Sequence, residues 1–146
     1  MPVSTDAIGK SYPATTYAVG REKVKEYALA VGETNPLHLD ADAARAAGYD
    51  DVVAPPMFTV VYSGPAMAPA IFDPEVGMNF ALMVHGGQEF RWGPVVVAGD
   101  EITTTVSVKD ISERGGNGFF VFESVSENQR GETVCVGTWT NIVRGV

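Results

Sequence analysis

Hydrophobic positions change their period about halfway along the chain. In the first half, "REKVKEYALAVG" puts Val24, Tyr27, Ala28 and Val31 at the i, i+3, i+4, i+7 spacing of an amphipathic helix, and Gly32 supplies its C-terminal stop. A second short helix is predicted at "DADAARAAG", with Asp40 as N-cap, alanines as the body and Gly48 as terminator. The third segment, "APPMFTVVYSGPAMAPA", is apolar nearly all round. Pro55 and Pro56 suit a helix start, where a missing N–H costs nothing. Gly64 and Pro65 should end or kink this helix about two turns later, and the rest of the chain should wrap it on several faces.

After Asp73 the period becomes two. "EITTTVSVK" alternates, with Ile102, Thr104, Val106 and Val108 facing one way and Glu101, Thr103, Thr105 and Ser107 the other. "GFFVFESVS" and "ETVCVGTWTNIV" are rich in β-branched and aromatic residues and are bounded by the turn sequences "RGGN" and "NQRGE". "FALMVHGGQEFRW" is a further strand, with Gly86 and Gly87 marking a bulge or a close backbone approach, and "KSYPATTYAV" offers one more near the start. The predicted fold is α+β: an antiparallel sheet of about five strands wrapped around a buried central helix, the hot-dog architecture, with a generic α+β roll as the alternative. Residues 1–146 are expected to form one domain. So small a sheet leaves an open edge strand, and pairing edges across a two-fold axis is the usual remedy, so a dimer is expected.

Composition narrows the function. The chain is 146 residues long, 45% hydrophobic and 19% charged, which is ordinary globular material with enough length for a core. Its formal net charge of -8 argues against non-specific binding to nucleic acid or to an anionic membrane. A local basic patch could still hold an anionic small ligand, and Arg21, Lys23, Lys25, Arg45 and Arg91 are the candidates. The lone cysteine, Cys135, excludes an internal disulfide and a cysteine-based metal cluster; its apolar strand setting predicts a buried thiol. The start "MPVSTDAIGK" lacks the features of a secretory signal, and no apolar run approaches the ~20 residues of a membrane span, so a cytoplasmic location is expected.

The chemistry gathers in "VGETNPLHLDAD", Val31 to Asp42, where one of only two histidines follows a glutamate by five residues. Read alone, Glu33 is a solvated residue after a helix end, and Asn35-Pro36 is a common turn starter. The other histidine, His85, reads as a strand residue.

"YALAVGETNPLHLD" resembles the hydratase motif of MaoC-like proteins, the hot-dog (R)-specific enoyl-CoA hydratases and β-hydroxyacyl dehydratases. That pattern is Gly-Asp-x-Asn-Pro-Ile/Leu-His after an apolar helix, and Asn35, Pro36, Leu37, His38 and Asp40 match it. "GYDDVVAPPMFT" resembles the family's helix start and "VVVAGDEITTTVSV" its "PVxxGDxL" strand start, so the likeness covers nearly the whole chain. The resemblance implies an (R)-specific enoyl-thioester hydratase or 3-hydroxyacyl-thioester dehydratase of the cytoplasm. Its substrate would be an acyl chain borne by CoA or by acyl-carrier protein, with no cofactor and no metal. It makes Glu33 and His38 the catalytic pair and puts Asn35, Pro56, Met57 and Phe58 at the substrate. A backbone N–H at the start of the buried helix would polarise the thioester carbonyl.

Two positions depart from the pattern. Glu33 stands where the family has aspartate, and its extra methylene moves the carboxylate by about 1.5 Å on an unchanged backbone. Pro55-Pro56 stands where the family has His-Gly, so the N–H expected at position 56 is missing and Met57 N–H is the substitute. Both departures resemble an actinobacterial sub-branch that includes the substrate-binding subunits of heterodimeric mycolic-acid dehydratase. The alternative is therefore a non-catalytic acyl-binding subunit of a heteromeric dehydratase, and the chain is expected as a homodimer or as a heterodimer with another hot-dog subunit. A hot-dog thioesterase ranks third, because "PPMFTVVYSGPAM" places no carboxylate on the buried helix.

Overall fold

The computed structural model describes residues 2–146. Five antiparallel strands form one sheet in the order β1-β3-β4-β5-β2. They are β1 (Thr15–Ala18), β2 (Met83–Trp92), β3 (Glu101–Arg114), β4 (Asn117–Glu127) and β5 (Thr133–Arg144). The period-two reading of β3 holds: Ile102, Thr104, Val106 and Val108 are buried while the residues between them are exposed or half-buried. Turns at the predicted glycines close β3 onto β4, where Gly115 and Gly116 take φ of 57° and 74° that other residues rarely adopt. The register of β2 against β5 slips between His85 and Gly87, so the Gly-Gly pair does mark a bulge. A Cβ at Gly86 would lie 2.5 Å from Ile142 Cδ1, so a larger residue there would have to push the Ile142 side chain aside.

Helices cover one face of this sheet. The first, α1 (Arg21–Ala30), buries Val24 and Ala28 as its spacing predicts. Val31, counted on the same apolar stripe, is instead the C-cap and stands 54% exposed, because the chain leaves the helix one residue earlier. Two short helices follow, α2 (Pro36–Leu39) and α3 (Ala41–Ala46). Asp40 Oδ1 caps the second of these, accepting from Asp42 N at 2.9 Å and Ala43 N at 3.3 Å.

The central helix is present but differs from one continuous rod. It runs as a 3-10 turn (Pro56–Phe58), α4 (Thr59–Ser63), a second 3-10 turn (Gly64–Met67) and α5 (Ala68–Ile71). Pro65 and Pro69 lack the N–H that an α ladder needs and crowd the carbonyl four residues back, so the run alternates between tight and regular turns. It is also covered on one side only, where the sequence predicts several. Phe58, Thr59, Tyr62, Ser63, Ala66, Met67 and Ala70 are buried, while Met57, Pro65, Ala68 and Phe72 are exposed.

Two apolar clusters make up the core. One, with Ala66, Met67, Val106, Ile111, Phe120 and Phe122, lies under the second half of the helical run. The other gathers Val24, Val52, Phe58, Tyr62, Ile102, Val134 and Cys135 beneath the first half. Phe58 is its hub, wholly buried, with Tyr27 edge-on at 5.5 Å and Tyr17 and Tyr62 at 6.4 and 6.2 Å. Truncating such a ring to alanine costs about 3–5 kcal/mol. Burial also pushes the Cys135 thiol up, in keeping with the predicted buried thiol.

Candidate active site

Glu33 is set by the end of α1. Gly32 takes φ 78°, and the chain closes with Glu33 N donating to Ala28 O at 2.8 Å and Gly32 N to Leu29 O at 3.2 Å. This is a Schellman turn, and it leaves Glu33 as the first residue aimed off the helix axis. Asn35 then opens α2: its Oδ1 accepts from Leu37 N at 3.0 Å, and Pro36 occupies the first helical position. One turn of helix carries His38 inward until the residue is 9% exposed.

A strap of extended chain holds the imidazole. Val53 N donates to Leu37 O at 2.8 Å, and His38 Nδ1 lies 2.5 Å from Val53 O. A carbonyl oxygen only accepts, so Nδ1 carries the hydrogen and the neutral ring keeps its lone pair on Nε2. That nitrogen faces Glu33 Oε2 at 4.0 Å. The strap is pinned on its other side, where Ala54 N donates to Val96 O at 2.8 Å and Ala98 N to Val52 O at 3.0 Å. The segment just ahead of β3 thus fixes the histidine through the strap, by backbone bonds outside the five strands. The role of the Val53 carbonyl left no mark in the sequence, since any residue supplies one.

Glu33 opens into a cleft of about 380 Å³ that it shares with Tyr27, Val31, Pro55, Pro56 and Met57. The cleft brings together the glutamate and the helix start named from the sequence, although more than 20 residues of chain separate them. Burial raises the Tyr27 phenol, so this wall stays neutral. Among the residues expected at the substrate, Pro56 and Met57 line the cleft, and Met57 is 46% exposed. Phe58 does not: it is wholly buried in the core, because the helix turns it inward. Asn35 is exposed, and its carbonyl oxygen is committed to the cap.

The basic candidates are largely neutralised. Arg21 grips Asp51 through two bonds of 2.9 and 2.6 Å, and Arg45 pairs with Asp42 at 3.3 Å and Asp51 at 3.7 Å. The Arg21 guanidinium accordingly holds the Asp51 carboxyl below the usual carboxylate range. Lys25 lies 3.8 Å from Glu22. No helix among the described residues is long and apolar enough to cross a membrane.

A five-stranded antiparallel sheet over a central helical run, with Glu33 in the cleft beside that run's start and His38 4.0 Å from the glutamate, is the hot-dog fold of the MaoC-like dehydratases. The comparisons with known proteins agree. Residues 6–136 match the family described as "FAS1-like, dehydratase domain region", and the chain belongs to that family. A UPF0336 protein of Saccharopolyspora erythraea is 43% identical over 146 residues, spanning 99% of this chain and 94% of its own. The 3R-hydroxyacyl-ACP dehydratase complex HadBC of Mycobacterium tuberculosis superimposes with a TM-score of 0.82 at 28% identity, over 94% of this chain and 98% of the other. A MaoC-like dehydratase superimposes with a TM-score of 0.86 at 29% identity, over 97% of this chain and 43% of its own longer chain.

Proposed function

We propose that this chain hydrates enoyl thioesters, and dehydrates (R)-3-hydroxyacyl thioesters, with Glu33 and His38 as its catalytic pair. The observation that carries the reading is the His38 ring. It is anchored at Nδ1 and turned so that a bare Nε2 faces the carboxylate across 4.0 Å. That gap is too wide for a direct hydrogen bond, and suits one water about 2.8 Å from each atom. In the forward direction Nε2 takes a proton from the water as its oxygen adds to C3, and the Glu33 carboxylate orients the water and steadies the imidazolium. The same proton then passes to C2. Charge developing on the thioester oxygen needs a donor, and we assign that task to the N–H of Met57, a residue that lines the cleft. Dehydration runs the same steps backwards.

The test is loss of the ultraviolet absorbance of an enoyl-CoA. His38→Ala and Glu33→Gln are each expected to lower kcat on the order of 10²- to 10⁴-fold, the usual reach of general acid–base catalysis. A His38→Ala chain as active as the wild type would overturn the reading.

A second reading is favoured by Pro56, which removes the N–H expected at that position. Under it, this chain binds the acyl group and a second hot-dog subunit performs the chemistry. Activity would then appear only in the mixture and would survive His38→Ala of this chain. The solved HadBC dehydratase is itself a complex, in keeping with a paired state. We propose the pairing surface along β2, a ten-residue edge strand with no neighbour on its outer side among the described residues. CoA against carrier protein is decided by which thioester is consumed.

A further inference from the structure

Trp92 stands at the end of β2, half exposed, and its Nε1–H donates to Pro56 O at 2.9 Å. The indole also walls an apolar pocket of about 220 Å³ with Tyr62, Pro94, Val95 and Val134. This pocket shares Pro55 and Pro56 with the cleft, but neither Glu33 nor Met57 reaches it, and Trp92 does not reach the cleft. The two proline rings therefore separate two chambers.

The Pro56–Met57 peptide is planar and trans, so its C=O and N–H point in opposite directions. The carbonyl accepts from Trp92 Nε1–H and from Thr59 N–H of its own turn, so the N–H is turned the other way, and Met57 lines the chamber that holds Glu33. This turn has few donors to offer. Pro55 and Pro56 have no N–H, and Phe58 N is committed to Pro55 O at 2.8 Å. Met57 N–H makes no hydrogen bond among the described residues and is the donor left over. Independently, the His38 ring, about nine-tenths buried, turns Nε2 toward the same Glu33.

We infer that Trp92 is a positioning residue for the reaction proposed above: its hydrogen bond to Pro56 O aims Met57 N–H at the thioester oxygen. The bond also polarises the peptide it holds, which makes that N–H a stronger donor. In this chain, with proline at position 56, the donor has moved one residue along, and the indole adds a hold from outside the turn to the one Thr59 N–H gives the same carbonyl. The inference rests on the function reading, since without an enoyl thioester in the cleft the N–H has nothing to stabilise.

The experiment replaces the donor and keeps the ring. Trp92→Phe is one variant; the other places β-(3-benzothienyl)alanine at position 92 by nonsense suppression, exchanging the indole N–H for sulfur at nearly unchanged shape. Both are expected to lower kcat about ten-fold or more with KM little changed, because the lost effect lies in the transition state. Isotope-edited infrared spectra of bound enoyl thioester supply a second readout. The carbonyl stretch, lowered in the wild type by the hydrogen bond, should move back toward its free value in both variants. A purely structural role would move stability and leave that stretch alone. If Trp92→Phe folds poorly, the isosteric replacement decides. Wild-type kcat and an unshifted stretch in the benzothienylalanine protein would overturn the inference. Failure of the function reading looks different: the wild-type chain then leaves the enoyl absorbance unchanged, or consumes it without needing His38, and the role of Trp92 falls with it.

Discussion

At the scale of single residues, the site depends on two that perform no chemistry. Gly32 accepts φ 78°, and an added Cβ there meets nothing within 4 Å, so the cost of substitution is backbone strain alone. Gly32→Ala is expected to lower stability by about 1–2 kcal/mol, read from the shift in denaturant midpoint. It should also lower kcat, because Glu33 is the next residue and a carboxylate displaced by about 1 Å loses on the order of 10²-fold. Asn35→Ala removes the cap of the turn that carries His38, at a cost of about 1 kcal/mol. The longer glutamate side chain can be accommodated because the Schellman turn releases it at the rim of a cleft, with its side chain 38% exposed, and not into the packed core.

At the scale of elements, the broken central helix needs anchors at both ends. Trp92 holds its start through Pro56 O. Its end is held by Asp73, which accepts from Tyr12 Oη at 2.7 Å and pairs with Lys10 Nζ at 2.7 Å. These bonds tie the segment before β1 to the loop after α5, and Lys10 reaches Glu75 of the same loop at 2.7 Å. Lys10 and Tyr12 together hold the Asp73 carboxyl down to about 2, against an ordinary value of 3.8. A carboxyl held lower in the folded state than in the unfolded one contributes stability above the unfolded value and loses it as pH falls through the folded value. The stability difference between the wild type and Asp73→Asn should therefore be full at neutral pH and close as pH drops from 3.8 to about 2. Chemical denaturation across that range measures it; a difference that stayed constant would show that the latch is not ionic.

At the scale of the whole molecule, the uncovered surfaces lie close together. β2 sets the exposed His85 and the half-buried Phe90 against Trp139, with ring centroids 6.3 and 5.5 Å apart. Beside the strand, Phe72 and Phe80 meet as tilted rings with centroids 5.0 Å apart while each stays more than half exposed, and Leu82 is 51% exposed. An apolar patch next to an open edge, in a chain that is otherwise strongly acidic, predicts an interaction surface there. The chain is expected to sediment above its monomer mass of 15.5 kDa, alone or with a second hot-dog subunit. Lysine in place of Phe72 and Phe80 should return it to that mass. Double-lysine variants that still associate would locate the interface elsewhere.

What could be read from the residues was whatever depends on local order. The period of α1, the alternation of β3, the cap at Asp40, the stop at Gly32 and the Gly-Gly bulge are all decided by neighbours a few positions away, and the structure shows each of them. The nearness of Glu33 to His38 was implied by the family resemblance and not by local order, and the structure sets the two side chains 4.0 Å apart. Tertiary structure decided the rest. Phe58 turned into the core and Val31 out to the cleft, because the direction of a side chain follows from which neighbour the helix packs against. The anchor on His38 Nδ1 is a backbone carbonyl 15 residues away, and the clamp on Pro56 comes from a strand 36 residues away. Hydrogen bonds to backbone atoms leave no residue-type signature, so only the folded chain could show which carbonyls hold the site.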